Sequence, residues 1–334
     1  MKVCMVQIGI GLSGHNETSS TIQNVLLAEQ LGLDFVWVHD IDLEREPFVT
    51  SSCIALSTDR IEIGVIANPY TRHPIVSAAA VATLSEIAPG RIRYALGIGG
   101  RKSVGHVYCA HDSKPLTRLG AAIELSKKLF KGEKLSLNNE LQNAKLAVPI
   151  IGEIPIYVAA MVGKRTMRLA GRMADGVLLA GPLGLEFVKC CIDTVTEAAT
   201  SSGRDPSKIR IAMEMLFSVS EDSHTAKEKV KKNIAEFIIT DSRFNSTIIK
   251  AGISPEEIEQ VRSSFTEGKE QISDTVTSKM VELFSIAGTP QECVRKIRSY
   301  ARAGVQEICL MTSPDTDLRK VIVLIAEAML PDLR

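Results

Sequence analysis

Two neighbouring residues, His39 and Asp40, are the first in the chain that could do chemistry, and they follow directly on the apolar run Phe35-Val36-Trp37-Val38. An imidazole titrates near neutral pH, and a carboxylate beside it can orient it or exchange a proton with it. Capping of the next segment is an equally good reading of the same pair. A second group follows Ile63-Gly64-Val65-Ile66, where Asn68-Pro69-Tyr70-Thr71-Arg72-His73-Pro74 masses an amide, a phenol, a guanidinium and an imidazole. Asn-Pro turns the chain out of an extended run, and Pro74 opens a helical pattern, Ile75 to Ala88. A third group is Gly97-Ile98-Gly99-Gly100-Arg101-Lys102. It has neither the spacing of a Walker loop nor that of a dinucleotide fingerprint. Its glycines and cations suit an anionic ligand, or simply an exposed loop. Two quieter stretches, Ala159-Ala160-Met161-Val162-Gly163-Lys164 and Ala180-Gly181-Pro182, also end apolar runs in small residues. His106, Cys109, His111 and Asp112 lie at no standard ligand spacing, so they read as surface residues and no metal is expected.

The elements that must position these groups alternate. Eight β-branched runs read as strands: Val3 to Ile10, Phe35 to His39, Ile61 to Ile66, Ile92 to Ile98, Ile154 to Ala159, Gly176 to Ala180, Ile209 to Val219 and Gln306 to Met311. Helical spacing fills the gaps, as in Ser20 to Leu31, Leu116 to Phe130, Lys164 to Met173, Leu185 to Ser201, Pro290 to Ala303 and Leu318 to Ala328. Strict alternation with continuously apolar strands predicts a parallel sheet, and eight units predict a closed (β/α)8 barrel. Reactive groups then belong at the carboxyl ends of the strands, which is where the polar clusters fall. Two segments break the rhythm. Lys131 to Pro149 reads as a hairpin or excursion. Ile239 to Ile286 reads as a helical insertion between the seventh and eighth strands, within a single domain spanning residues 1–334.

Composition narrows the function. The 334 residues carry 39 basic and 39 acidic side chains, which argues against a general nucleic-acid binder. Aromatic residues make up 4%, too few for base-stacking platforms. The seven cysteines form no Cys-x-x-Cys pair and read as buried reduced thiols. The amino terminus runs straight into a strand pattern, and no apolar stretch approaches membrane-spanning length, so a soluble cytoplasmic protein is expected.

The same residues resemble the bacterial-luciferase-like superfamily of flavin and deazaflavin barrel enzymes. Carrying the likeness are Phe35 to Asp40; Asn68 to Pro74 with Ala82-Thr83-Leu84-Ser85-Glu86; Gly90-Arg91 through Gly99; Pro155 to Ala160 through Leu169 to Gly176; and Phe284 to Pro290. Within it, the chain is most similar to the coenzyme F-420-dependent branch and its methylene-tetrahydromethanopterin reductases. The resemblance implies hydride transfer between a deazaflavin and a small ring-bearing substrate. An FMN-dependent monooxygenase and a cofactor-binding protein without catalysis are the alternatives. It implies Gln7, His39 and Asp40 as catalytic candidates. It also implies a cofactor surface of Asp40, Val65, Ile66, Asn68, Gly99, Gly100, Arg101, Ala159, Ala160, Gly163, Ala180 and Gly181, with a non-prolyl cis peptide around Val65-Ile66. A homo-oligomer is implied as well. Three departures stand out. Ile41 occupies a position that is His in the sugar-phosphate dehydrogenases, Gln7 one that is Glu in the methylene reductases, and Arg101 or a neighbour one that is Asp there. The source of the reaction's proton is therefore open, with His39 or a group on the substrate as candidates.

Overall fold

A computed structural model describes residues 6–41, 43–99, 114–137, 141–161, 163–240, 242, 245–266 and 272–334. Eight parallel strands close into a barrel: β1 (Gln7–Leu12), β2 (Phe35–Val38), β3 (Glu62–Ala67), β4 (Ile92–Leu96), β7 (Ile156–Ala160), β8 (Gly176–Ala180), β9 (Arg210–Val219) and β11 (Glu307–Met311). The pairing of β8 with β9 and of β11 with β1 completes the ring. Helices α1 (Thr18–Gln30), α2 (Pro47–Ser57), α3 (Pro74–Ile87), α4 (Pro115–Phe130), α5 (Lys164–Met173), α6 (Leu185–Thr200), α11 (Pro290–Arg302) and α12 (Leu318–Ala328) surround it. The irregular stretch after α4 is a hairpin of β5 (Leu135–Leu137) and β6 (Leu141–Ala144).

The first strand differs from its expected span, running on to Leu12. There the absent side chain of Gly11 leaves room for the Met311 sulfur. A larger difference lies beyond β9. Helix α7 (Ser223–Thr240) is followed by α8 (Asn245–Lys250), α9 (Pro255–Thr266) and α10 (Ser278–Phe284), but the segment then ends in a strand, β10 (Ser285–Gly288). The ten-residue β9 outruns the barrel. Its Arg210–Glu214 half pairs with β8, and Leu216–Val219 pairs with β10. Without β10 that upper half would present unpaired backbone groups along one edge.

Alternate residues along each strand face outward, where Ile8, Ile10, Val36, Val38, Ile63, Val65, Leu96, Val158, Val177 and Ile308 pack under the helices. The inward set forms a plug of Phe35, Trp37, Ala95, Tyr157, Leu178, Ala212 and Cys309. The large rings fit because glycines notch the wall. A Cβ on Gly64 would lie 2.2 Å from the Trp37 ring, and one on Gly176 would lie 2.4 Å from the Tyr157 ring. Trp37 and Tyr157 meet edge to face with centroids 5.3 Å apart.

Below the plug, at the amino ends of the strands, lies a charged layer. Arg93, only 1% exposed, is ion-paired with Glu307, its Nη1 2.9 Å from Oε2, and it donates from Nη2 to Gln7 Oε1 at 3.0 Å and from Nε to Glu62. The Tyr157 hydroxyl donates to Glu307 Oε1 at 3.0 Å, and Arg210 reaches that oxygen at 3.1 Å. Attraction to Glu307 overcomes the desolvation of Arg93, whose pKa lies above its usual value. Breaking such a pair leaves a charge stranded. Glu307→Ala is therefore expected to cost about 3–5 kcal/mol in denaturant unfolding. Lys189→Ala, which breaks an exposed pair with Glu186, should cost less than about 1 kcal/mol. Equal losses from the two substitutions would contradict a structural floor.

Candidate active site at the carboxyl ends of the strands

The mouth of the barrel lies above the plug, where Gly97, Ala159, Ala180 and Glu214 stand beside the larger Ile66 and Met311. Ile66 and Ala159 rest partly exposed on the plug. Gly97 faces Ala159 so closely that an added Cβ would lie 3.2 Å from the alanine Cβ. Ala180 ends β8 and pairs with Glu214 of β9. The rim is pinned between strands: Gly14 N–H donates to Glu44 Oε2 at 2.6 Å, and Arg45 Nη1 donates to the Gly14 and His15 carbonyls at 2.7 and 3.0 Å.

One charged pair opens onto this surface. His39 Nε2 lies 2.6 Å from Glu214 Oε2, and His39 Nδ1 lies 3.2 Å from the Leu12 carbonyl. Both ring nitrogens thus face oxygen acceptors, a setting satisfied when both carry protons. Burial opposes the imidazolium, but the Glu214 charge and hydrogen bond, with the Leu12 carbonyl, outweigh it and raise the His39 pKa above 6.5. The Cys309 thiol also bonds Glu214, and burial holds it well above its usual pKa. Since the folded imidazole pKa is raised, the pair's contribution to stability is full below the unfolded value and is lost as pH rises through the folded one. The unfolding free-energy gap between wild type and His39→Asn should therefore shrink between about pH 6 and pH 9. An NMR titration reads the ring directly, and a value at or below 6.5 would contradict the ion pair.

Asp40 has a different task. Its Oδ2 accepts from the Asn68 N–H at 3.2 Å and the Thr71 hydroxyl at 3.1 Å, so it holds the turn after β3. Asn68 completes that turn, its Oδ1 accepting from the Tyr70 N–H at 3.0 Å. The conspicuous side chains beyond it serve the rim. Arg72 pairs with Glu46 at 2.8 Å and lies over the Phe48 ring, and His73 caps α3 by accepting from the Ile75 N–H at 3.3 Å.

Several expected site residues fall elsewhere. Gln7 is at the floor, bonded to Arg93, five residues and ~16 Å of strand below Leu12. It cannot act at the mouth. Val65 and Ala160 turn their side chains outward into the helix layer while Ile66 and Ala159 face in, so the first two could meet a ligand only through their backbone. The cis peptide is also absent. Every described bond is trans, and β3 keeps regular pairing with β2 and β4 through Val65 and Ile66, so nothing in the ladder offsets the cost of a cis bond. Gly99, Gly163 and Gly181 follow β4, β7 and β8 with φ of +62°, +116° and +112°, a backbone that favours glycine. Gly100 and Arg101, like His106, Cys109, His111 and Asp112, lie outside the described residues. Glu214 is the group the sequence reading passed over. Its signal was a lone carboxylate inside the apolar run Ile211-Ala212-Met213-Glu214-Met215-Leu216.

A cavity of about 880 Å³ lies outside the barrel between α5, α6, α11 and the helices α8 and α10. Its walls carry Lys164, Lys250, Lys279 and Lys296, with Lys296 Nζ 2.7 Å from Glu282 Oε1. No histidine lines it among the described residues. The strand ends are where an imidazole and a carboxylate meet.

Residues 3–307 match the sequence model of the luciferase-like monooxygenases. The chain belongs to that family. Among its luciferase-like relatives is the 5,10-methylenetetrahydromethanopterin reductase of Methanolobus tindarius, 29% identical over 91% of this chain and 93% of that one. The enzyme of the same name from Archaeoglobus fulgidus is 29% identical over 93% and 94%. The solved coenzyme F-420-dependent tetrahydromethanopterin reductase of Methanopyrus kandleri superposes with a TM-score of 0.86 at 25% identity, covering 98% of this chain and 99% of that one.

Proposed function

We propose that this luciferase-like protein is a coenzyme F-420-dependent oxidoreductase that moves a hydride between the deazaflavin and a small ring-bearing substrate, with 5,10-methylenetetrahydromethanopterin as the first candidate. The observation that carries the reading is the mouth itself: the apolar top of the plug, small-residue walls, and one acid–base pair at its edge. Relatives named for that chemistry match the chain over more than nine tenths of its length.

The residues present fit a planar cofactor. The narrow gap between Gly97 and Ala159 would be closed by a larger residue, and a Cβ on Gly163 would meet nothing nearer than Thr166 Oγ1 at 3.9 Å. When bound, the deazaflavin supplies or accepts the hydride. Ile66 and Ala159 would carry the ring system and keep water from beneath it. Asp40 would hold the Asn68–Thr71 turn at its side, and the glycines 99, 163 and 181 would let polar parts of the cofactor approach the backbone. Orientation of two rings against each other accounts for most of the acceleration such a site can give. An FMN-fed monooxygenase is the competing reading.

Titration of the purified protein with coenzyme F-420 and with FMN separates the two. The deazaflavin should bind at least about tenfold more tightly, and its reduced form should be oxidised when methylenetetrahydromethanopterin is added. Tighter FMN binding, with oxygen consumed on reduction, would overturn the proposal. Among the described residues no helix is long and apolar enough to cross a membrane. We place the enzyme in the cytoplasm as a homo-oligomer, a reading supported by Val49 and Leu56, 63% and 75% exposed on α2. Sedimentation at the mass of one chain would count against it.

A further inference from the structure

The chain lacks a first-strand acid at the mouth: Gln7 serves the floor, and the inward position nearest the mouth on β1 is Gly11, closed by Met311 and His39. We infer that the proton of the reaction is handled by Glu214 of β9, with His39 as the residue that positions it. This rests on the deazaflavin reading above and deepens it.

Three features of the site point to Glu214. It is the one carboxylate of β9, set between Met213 and Met215, turned toward the barrel axis beside Ala212 of the plug and level with Ala180. Its side chain is 15% exposed, enough to meet a ligand in the mouth but too little to be a solvated surface group. One of its oxygens, Oε2, is taken by His39 Nε2 at 2.6 Å. His39 has no nitrogen left to offer a substrate, since its Nδ1 is turned to the Leu12 carbonyl. The carboxylate keeps acceptor capacity beyond its bond to His39, since an ionised carboxyl accepts at both oxygens. The charged and titratable groups facing the pair are each other, Cys309 of β11, and Glu44 of the rim, which is itself paired with His15 at 3.1 Å.

The balance is simple. In the reducing direction a C–N bond of the substrate opens. Its carbon takes the hydride from the reduced deazaflavin, and its nitrogen takes a proton from Glu214. The substrate gains two electrons and two hydrogens, and the oxidised deazaflavin has lost the same two electrons, its hydride and a ring proton that restores Glu214. In the oxidising direction the carboxylate takes the proton from nitrogen as the hydride leaves carbon. The deazaflavin's ring proton returns what Glu214 gives up, and His39, bonded to the other carboxyl oxygen through Nε2, fixes the carboxyl in one orientation.

The test compares wild type with Glu214→Gln, Glu214→Asp and His39→Asn, each as the full chain. Coenzyme F-420 binding is followed by fluorescence, and oxidation of the reduced coenzyme with methylenetetrahydromethanopterin is followed across pH. Glu214→Gln should bind the coenzyme within about twofold of wild type, yet lose about 100-fold or more in kcat with KM little changed, and lose one ionisation limb of the kcat profile. Glu214→Asp should recover part of the rate and the limb. His39→Asn should lose part of kcat with KM little changed, because nothing then fixes the carboxyl in one orientation. Equal kcat and an unchanged pH profile in Glu214→Gln would overturn the inference and leave the deazaflavin reading standing. Failure of wild type to bind coenzyme F-420 at all would overturn both.

Discussion

A single buried ion pair, Arg93 with Glu307, decides how this barrel can be used. The two side chains are each 1% exposed and lie on β4 and β11, across the barrel from one another. A charge in that setting must be matched on all sides, and Gln7, Glu62, Tyr157 and Arg210 supply the remaining partners. Six of the eight strands are thereby joined at their amino ends: β1, β3, β4, β7, β9 and β11. The floor is polar and ties these strands together. The rings of Phe35, Trp37 and Tyr157 fill the space above it, notched into glycines, and leave no interior for a ligand. Among the described residues, the inward positions still free to meet one are those at the carboxyl ends.

The two charged clusters inside the barrel are therefore different in kind. At the floor every member is committed, and its worth is measured in stability. At the mouth the pair of His39 and Glu214 is only partly enclosed, at 11% and 15% exposure, and the carboxylate is not exhausted by its partners. The long β9 links the two levels. Arg210 begins it in the floor, Glu214 sits at the mouth, and Leu216 to Val219 continue outward to pair with β10 and carry the chain into α7. The helices that follow cover one side of the rim without entering the barrel.

Much of this was legible from the residues. The eight strands are β-branched and continuously apolar, and the helices between them carry the complementary spacing, so the barrel followed from alternation alone. β10 was not legible, because Ser285-Ile286-Ala287-Gly288 is four residues long and continues a helical pattern; only the overhang of β9 makes it a strand. The site was half legible. Polar residues after β2, β3, β4, β7 and β8 drew attention to the carboxyl ends, where the structure places His39 against Glu214. Which side of a strand faces inward was not readable. Both faces of a parallel strand are apolar, so Val65 and Ile66, or Ala159 and Ala160, differ only by register. Gln7 failed for a related reason: its place on the strand, not its chemistry, puts it at the floor. Glu214 was hidden by its neighbours, one carboxylate in a run that otherwise reads as core.

The central claim is that the plug, walled by Gly97, Ala159 and Ala180 and edged by His39 and Glu214, is the surface on which the hydride moves. A crystal structure with coenzyme F-420 bound tests it most directly. The account predicts the deazaflavin ring lying over Ile66 and Ala159 with its reactive face open to a substrate beside Glu214. A ring seated instead in the lysine-lined groove between α5, α6 and α10, or an imidazole of His39 turned away from Glu214 in that complex, would contradict it.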